Sequence, residues 1–219
     1  MTFKLALAAA ALAASGLTQA ATIDWNTWSS ATGGSISTSS GPIAVTFGGE
    51  SSALVTAYPS WGPSATFADG TIVANAPSSS NNILQLTGGS NSVVTLTFSQ
   101  AVVDPVIAIW SLGAGGNTAS FDFIGAKPVL VAGGSSNEYG GGTLVVSGND
   151  VSGTEGNGTV EFLGSYTSIS WTNPTSEYWY GFDVGVAGVA AAVPEPGSMG
   201  LLLAGLTLVG LAARRRQKG

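Results

Sequence analysis

The segment YWYGFDVGV, residues 178–186, carries the clearest structural signal in the sequence. Successive side chains of a β-strand point to opposite faces of the sheet, so a strand with one buried face shows a period of two. In this segment one face would hold Tyr178, Tyr180, Phe182, Val184 and Val186. The opposite face would hold Trp179, Gly181, Asp183 and Gly185. We therefore predict a strand that turns the first face toward the core.

Similar short runs, rich in β-branched and aromatic residues, occur through the preceding part of the chain. Gly, Pro, Ser or Asn residues bound each run, as is typical of strands joined by turns. The predicted strands are 43–47, 83–87, 93–98, 106–110, 121–124, 143–147, 159–163 and 167–171. Residues 21–40 are polar and rich in Gly and Ser, and we expect them to form an irregular lead-in. The predicted fold is all-β, with a single antiparallel, jelly-roll-like β-sandwich domain over residues 21–187.

Composition and charge limit the classes of partner. Only 8% of the 219 residues are charged, and 32 are Gly, which leaves few side chains for the polar faces of long helices. Residues 21–193 contain 11 acidic residues and one basic residue, Lys127, for a net charge of −10. A domain this acidic repels a phosphate backbone, so we expect no nucleic-acid partner.

The chain contains neither cysteine nor histidine. This excludes disulfides, thiolate metal sites, Ser-His-Asp triads and histidine-ligated zinc. Two carboxylates roughly 5 to 10 Å apart can hydrolyse glycosides without histidine. The candidate acids are Asp122, Glu138, Asp150, Glu155, Glu161, Glu177 and Asp183. We expect them to be solvated surface residues and the protein not to be an enzyme, with a carboxylate-based glycoside hydrolase as an alternative.

Residues 1–20 have the features of a secretory signal peptide, which we expect to be helical. Lys4 precedes an apolar stretch, and the small residues at 18 and 20 match a cleavage site between Ala20 and Ala21. The expected partners at this end are the secretion machinery and signal peptidase.

Residues 194–219 contain three consecutive parts. A Pro-Glu-Pro triplet comes first, an uncharged apolar run follows over about 197–213, and a basic tail occupies 214–219. We predict a single transmembrane helix over the apolar run, preceded by a linker at 188–193, with the basic end held in the cytoplasm. The residues that define the pattern are Pro194, Glu195 and Pro196 in the triplet and Arg214, Arg215 and Arg216 in the tail.

This tail resembles the PEP-CTERM sorting signal of Gram-negative bacteria. The resemblance implies recognition by a membrane-embedded exosortase and cleavage near the triplet. The precursor would be anchored in the inner membrane, and the processed protein would reach the cell surface or the medium. Such systems usually accompany exopolysaccharide production. The resemblance thus implies a non-enzymatic component of an extracellular matrix or biofilm, associated with exopolysaccharide.

The alternative binding function is a carbohydrate-binding, lectin-like module. Trp25, Trp28, Trp61 and Trp179 could stack on sugar rings if they line a groove. Calcium is the one cofactor we consider, because the Gly-rich segment 147–158, interpreted as one loop, offers hard oxygen ligands. These candidate ligands are Asn149, Asp150, Glu155 and Asn157.

Overall fold

The computed structural model of the chain describes residues 19–50, 53–56, 61–138 and 140–188. The chain divides into two units, Met1–Val189 and Ala190–Gly219. The second unit lies outside the described residues, and so does nearly all of the predicted signal helix. Within the described ranges, no helix has the length and apolar character needed to span a bilayer.

The described residues are 60% strand and 4% helix, which confirms the predicted all-β class. Each of the nine predicted strands overlaps an observed one, although the predicted strand 143–147 divides into two short strands, Gly142–Thr143 and Val145–Ser147. Helical structure in the described residues is limited to α1 (Ser64–Phe67) and one 3₁₀ turn (Ser79–Asn81). The strands of the described residues are β1 (Asp24–Ser30), β2 (Gly33–Thr38), β3 (Gly41–Gly48), β4 (Ala53–Val55), β5 (Ile83–Leu86), β6 (Ser90–Val103), β7 (Val106–Leu112), β8 (Ala119–Ile124), β9 (Pro128–Gly133), β10 (Gly142–Thr143), β11 (Val145–Ser147), β12 (Asp150–Gly153), β13 (Gly156–Phe162), β14 (Ser165–Asn173) and β15 (Tyr180–Val186).

These strands form one large, mainly antiparallel sheet that is nearly barrel-shaped. Its order is β10-β13-β7-β15-β1-β2-β3-β6-β14-β8-β12-β11, with β5 also on β15, β4 on β5 and β9 on β13. Strand β1 joins the two halves of this sheet. Its Asp24 and Trp25 pair with β15, whereas the next residues pair with β2.

The prediction of an irregular lead-in at 21–40 is therefore wrong. Strands β1 and β2 occupy this segment, although Gly and Ser are poor strand formers. Pairing with β15 and β3 supplies the stabilisation that local propensity lacks, and Trp28 and Ile36 are completely buried.

The main core is a cluster of buried apolar side chains contributed by both halves of the sheet. Phe182 of β15 lies at its aromatic centre. Its ring centroid is 5.6 Å from that of Trp28, 5.7 Å from Phe47 and 5.6 Å from Trp171. Edge-to-face and tilted ring pairs of this kind add to the stabilisation from buried area.

A second cluster, the outer cluster, covers the opposite face of β7 and β15. In β7, Ile107 and Ile109 belong to the main core, whereas the alternate residues belong to the outer cluster. Residues 61–73, including α1, supply much of this layer. The outer cluster consists of Ile23, Trp25, Trp61, Phe67, Ala68, Val73, Ile83, Val106, Ala108 and Trp110.

The presence of two clusters corrects the prediction for residues 178–186. Every residue of β15 is buried, on both faces, and the strand begins only at Tyr180. Tyr178 was expected to face the core, but it precedes the strand and is 93% exposed. On the second face, a Cβ at Gly185 would lie 2.3 Å from Cγ2 of Ile23, so the glycine allows the outer cluster to approach the backbone.

Candidate functional site

A cavity of about 290 Å³, which we call the acidic cavity, lies where three connections meet. These are the loop after β7, the turn between β12 and β13, and the segment before β15. The side chains that determine its chemistry are Trp110, Ser111, Glu155, Glu177, Tyr178 and Trp179. It therefore combines two carboxyl groups with three aromatic rings.

Glu155 is held at one side of the cavity by two polar neighbours. The Ser111 hydroxyl donates to Oε2 of Glu155 at 3.0 Å. Buried Asn157 accepts from the Ser111 amide at 2.8 Å and donates to the Glu155 carbonyl at 3.1 Å. Ser111 and Glu155 have positive φ angles of 58° and 56°. This conformation is uncommon for non-glycine residues and occurs at tight turns and at functional sites.

Glu177 accepts a hydrogen bond from the Gly113 amide. Gly113 has φ +80°, and a Cβ there would lie 2.1 Å from the Gly153 carbonyl oxygen, so glycine is required for this approach. Burial raises the pKa of Glu177 to about 7, and the nearby Glu155 charge acts in the same direction. The Gly113 amide opposes the shift. Glu177 therefore holds a proton at much higher pH than an exposed glutamate does.

The aromatic side of the cavity consists of Trp110, Tyr178 and Trp179. The ring centroids of Trp110 and Trp179 lie 4.7 Å apart, edge to face at 88°. Trp110 is buried, Trp179 is partly buried and Tyr178 is almost fully exposed. The rings thus run from the outer cluster to the solvent.

The four tryptophans proposed as sugar platforms are placed very differently. Trp28 and Trp61 are buried in the two clusters and line no described cavity, so the hypothesis is wrong for these two. Trp25 is also largely buried, but its edge lines a second cavity of about 280 Å³ beside β1, so for Trp25 sugar stacking stays a prediction. All three pack against neighbours from distant parts of the chain, which their spacing in the sequence does not reveal. Trp179, by contrast, lines the acidic cavity.

Of the acids proposed from the sequence, the structure brings Glu155 and Glu177 into one cavity. Asp183 is completely buried in β15, contrary to the expectation of a solvated residue, because β15 is covered on both faces. Asp150 stands opposite Asp122 across the β8–β12 pair. The other two candidates lie apart from the cavity, Glu161 in β13 and Glu138 before β10.

The calcium hypothesis assumed that residues 147–158 form one loop, and that interpretation is wrong. Strand β12 occupies 150–153 because it pairs with both β8 and β11. Asn149 and Asp150 consequently lie at one end of β12, and Glu155 and Asn157 lie beyond its other end. Among the residues that the structure describes, no group of three or more acidic side chains could hold a metal ion. Calcium binding stays a prediction.

The proposed export sites fall at the limits of the described chain. Ala21 is hydrogen-bonded to the connection between α1 and β5. Its amide donates to the Ile72 carbonyl and its carbonyl accepts from the Ala74 amide, each at 2.8 Å. Cleavage between Ala20 and Ala21 stays a prediction. The sorting triplet and the basic tail lie outside the described residues.

Sequence reasoning missed several residues of the acidic cavity, namely Trp110, Ser111, Gly113 and Tyr178. Trp110 and Ser111 belong to a continuous buried strand, and nothing in such a run indicates that its end opens into a cavity. Gly113 could be recognised from the sequence as a turn residue. Its hydrogen bond to Glu177 could not, because the two residues are 64 positions apart in the chain.

Residues 192–216 match the family model of the PEP-CTERM protein-sorting motif. This confirms the resemblance inferred from the tail. The motif implies an exported protein with a membrane-anchored precursor, recognised by an exosortase-type enzyme and processed for the cell surface. No curated protein and no solved structure matches the chain.

Proposed function

We propose that this protein is a non-enzymatic component of the extracellular polymeric layer, where its β domain associates with exopolysaccharide. The observation that carries the proposal is the PEP-CTERM motif at 192–216, since it implies delivery to the surface. The composition agrees with such a role, because an acidic domain rich in Gly and Ser stays soluble in a hydrated matrix.

In the proposed maturation, signal peptidase cuts between Ala20 and Ala21. The helix at about 197–213 then anchors the precursor in the inner membrane, with the basic tail 214–219 on the cytoplasmic side. The exosortase-type enzyme cleaves near Glu195 and frees the β domain. Its predicted jelly-roll-like sandwich architecture is supported by the main core, to which both halves of the sheet contribute.

Intact-mass analysis of culture medium and membranes tests this maturation, in the host with and without its exosortase-type enzyme. We expect a released species that begins at Ala21 and ends near residues 194–198. Without the enzyme, the protein should remain in the membrane with its basic tail. A species that keeps Arg214 to Gly219 under both conditions would show a permanent anchor and contradict the proposal. A variant with Glu195→Ala tests the triplet directly, and Glu161→Gln is the control for an acid removed elsewhere.

A glycoside hydrolase is the second candidate, because Glu155 and Glu177 share a cavity and the raised pKa of Glu177 suits a general acid. Incubation with the host exopolysaccharide should release no new reducing ends if the protein is non-enzymatic. Release that is abolished by both Glu155→Gln and Glu177→Gln would favour the hydrolase.

A further inference from the structure

Among the residues that the structure describes, no cationic side chain lines the acidic cavity beside its two carboxyl groups. None of the residues that line the cavity is Lys or Arg, and Lys127 is the one basic residue within the described parts of the chain. Lys127 lies in the connection between β8 and β9 and is not part of the lining.

Burial and the charge of Glu155 both disfavour the ionised form of Glu177. A cation placed between the two carboxyl groups would reverse this effect and stabilise the charge on both. A neutral ligand would leave the repulsion in place, and an anionic ligand such as a uronic acid would increase it. The electrostatics of the cavity therefore select a positively charged group.

The aromatic rings indicate what kind of cation fits. The face of a tryptophan or tyrosine ring attracts an ammonium group and also packs against the apolar face of a sugar ring. Trp179 is partly buried within the cavity, and Tyr178 stands exposed at its side, where a continuing chain could pass. A volume of about 290 Å³ is at the small end of ligand cavities, which suits a single sugar ring.

We propose that the acidic cavity binds one amino-sugar unit of a polysaccharide, with its protonated amine between Glu155 and Glu177 and its ring against Trp179. This inference rests on the proposed function, which places the cavity in a polysaccharide layer. It goes further by naming the class of sugar and the residues that select it.

Calorimetry on the full chain in detergent tests the inference with three probes at a pH just below 7, where Glu177 can still ionise. A glucosamine tetramer carries both ring and cation, its N-acetylated counterpart keeps the rings without the cation, and putrescine keeps cations without a ring. We expect the glucosamine tetramer to bind at least about tenfold more tightly than either other probe. Equal affinity for the two tetramers, or no binding of either, would overturn the proposal. Putrescine binding as tightly as glucosamine would overturn the sugar part of it.

Matched variants locate the site. Glu155→Gln and Glu177→Gln keep the side-chain size, and each should weaken glucosamine binding about tenfold while leaving the N-acetylated tetramer unaffected. Trp179→Ala should weaken binding of both tetramers. Asp150→Asn, which removes an exposed carboxylate at the other end of β12, should leave all affinities unchanged. If Asp150→Asn weakened binding as much as the cavity variants, general charge and not the cavity would be responsible. Melting temperatures of the variants show whether each is folded.

Failure of this inference is distinguishable from failure of the proposed function. A correctly processed, released protein that does not prefer glucosamine refutes the amino-sugar site alone. A protein that keeps its tail under both conditions refutes the proposed maturation, whatever it binds.

Discussion

The main core and the outer cluster cover opposite faces of the same two strands, β7 and β15, but they are built differently. The main core joins aromatic side chains from both halves of the sheet, such as Trp28, Trp171 and Phe182. The outer cluster depends on one irregular segment, residues 61–73, with a four-residue helix as its only regular element within the described chain. From this difference we expect the main core to unfold cooperatively and the outer cluster to open locally, although β7 and β15 belong to both.

The largest expected effect comes from Phe182→Ala at the centre of the main core. It removes a completely buried ring that contacts Trp28, Phe47 and Trp171, and should reduce the free energy of unfolding by about 3–5 kcal/mol. Chemical denaturation followed by tryptophan fluorescence measures this loss. Phe182→Leu, which leaves a smaller void, should lose less. A loss below about 1 kcal/mol for Phe182→Ala would show that the main core is not the cooperative unit.

Phe67→Ala is the matched change in the outer cluster. The ring is completely buried and packs edge-on against Trp61 at 5.1 Å. We expect a loss of about 1–3 kcal/mol, smaller than for Phe182→Ala, because the segment can open without unfolding the sheet. Hydrogen exchange should accelerate at the Ala68 and Ala74 amides while β7 stays protected. Equal acceleration in β7 would show that the two clusters unfold together.

Asp183→Asn tests the carboxyl group that is completely buried in β15. Burial raises the pKa of Asp183 well above its usual value, against the effect of the Val184 amide and the nearby Asn26 and Trp28 side chains. The folded state therefore holds this proton more tightly than the unfolded state. Stability due to this group is fully present below about pH 4 and is lost as pH rises, at up to about 1.4 kcal/mol per pH unit. The asparagine variant lacks this loss, so its stability relative to the wild type should increase from pH 4 to pH 7. A constant difference between the two proteins would contradict the assignment.

The smallest expected effect is that of Asp69→Ala in the turn that supports the outer cluster. Although burial acts to raise the pKa of Asp69, hydrogen bonds from Thr71, Val73 and Ile72 lower it to about 2. The ionised carboxylate accepts from the Ile72 and Val73 amides at 2.9 Å each. Because Asp69 is only partly buried and its hydrogen bonds lie near the solvent, its loss should cost about 1 kcal/mol or less. This contribution should be present above about pH 4 and disappear as pH falls toward 2, and thermal melts at both ends of that range measure it. Asp69→Asn keeps an acceptor and should lose less than Asp69→Ala at neutral pH.

The same comparison explains how far the sequence predicts the fold. A period of two does indicate the buried face of a strand that is covered on one side, as in β6, where buried Val94, Leu96 and Phe98 alternate with less buried residues. It missed β1, which pairs with the distant strand β15, and β2, which lies between β1 and β3. It also missed the second buried face of β15. A period of two cannot show that the small residues on that face are themselves covered by another layer.

The candidate site was predicted in part. Glu155, Glu177 and Trp179 were identified by residue type, because carboxylates and tryptophans are few in a chain with little charge. Their assembly was not foreseen, since it depends on three connections that meet only when the sheet folds. The positive φ angles of Ser111 and Glu155 have no signature in residue type either, because neither is a glycine.

The pairing of β1 with β15 also has a consequence for the order of events during export. The first and last strands of the domain are neighbours in the sheet, so the sheet cannot close until residue 186 has emerged. Contacts this distant in sequence form slowly. The chain therefore remains threadable for almost its whole passage through a translocation channel, and the domain can close only after residue 186 has emerged.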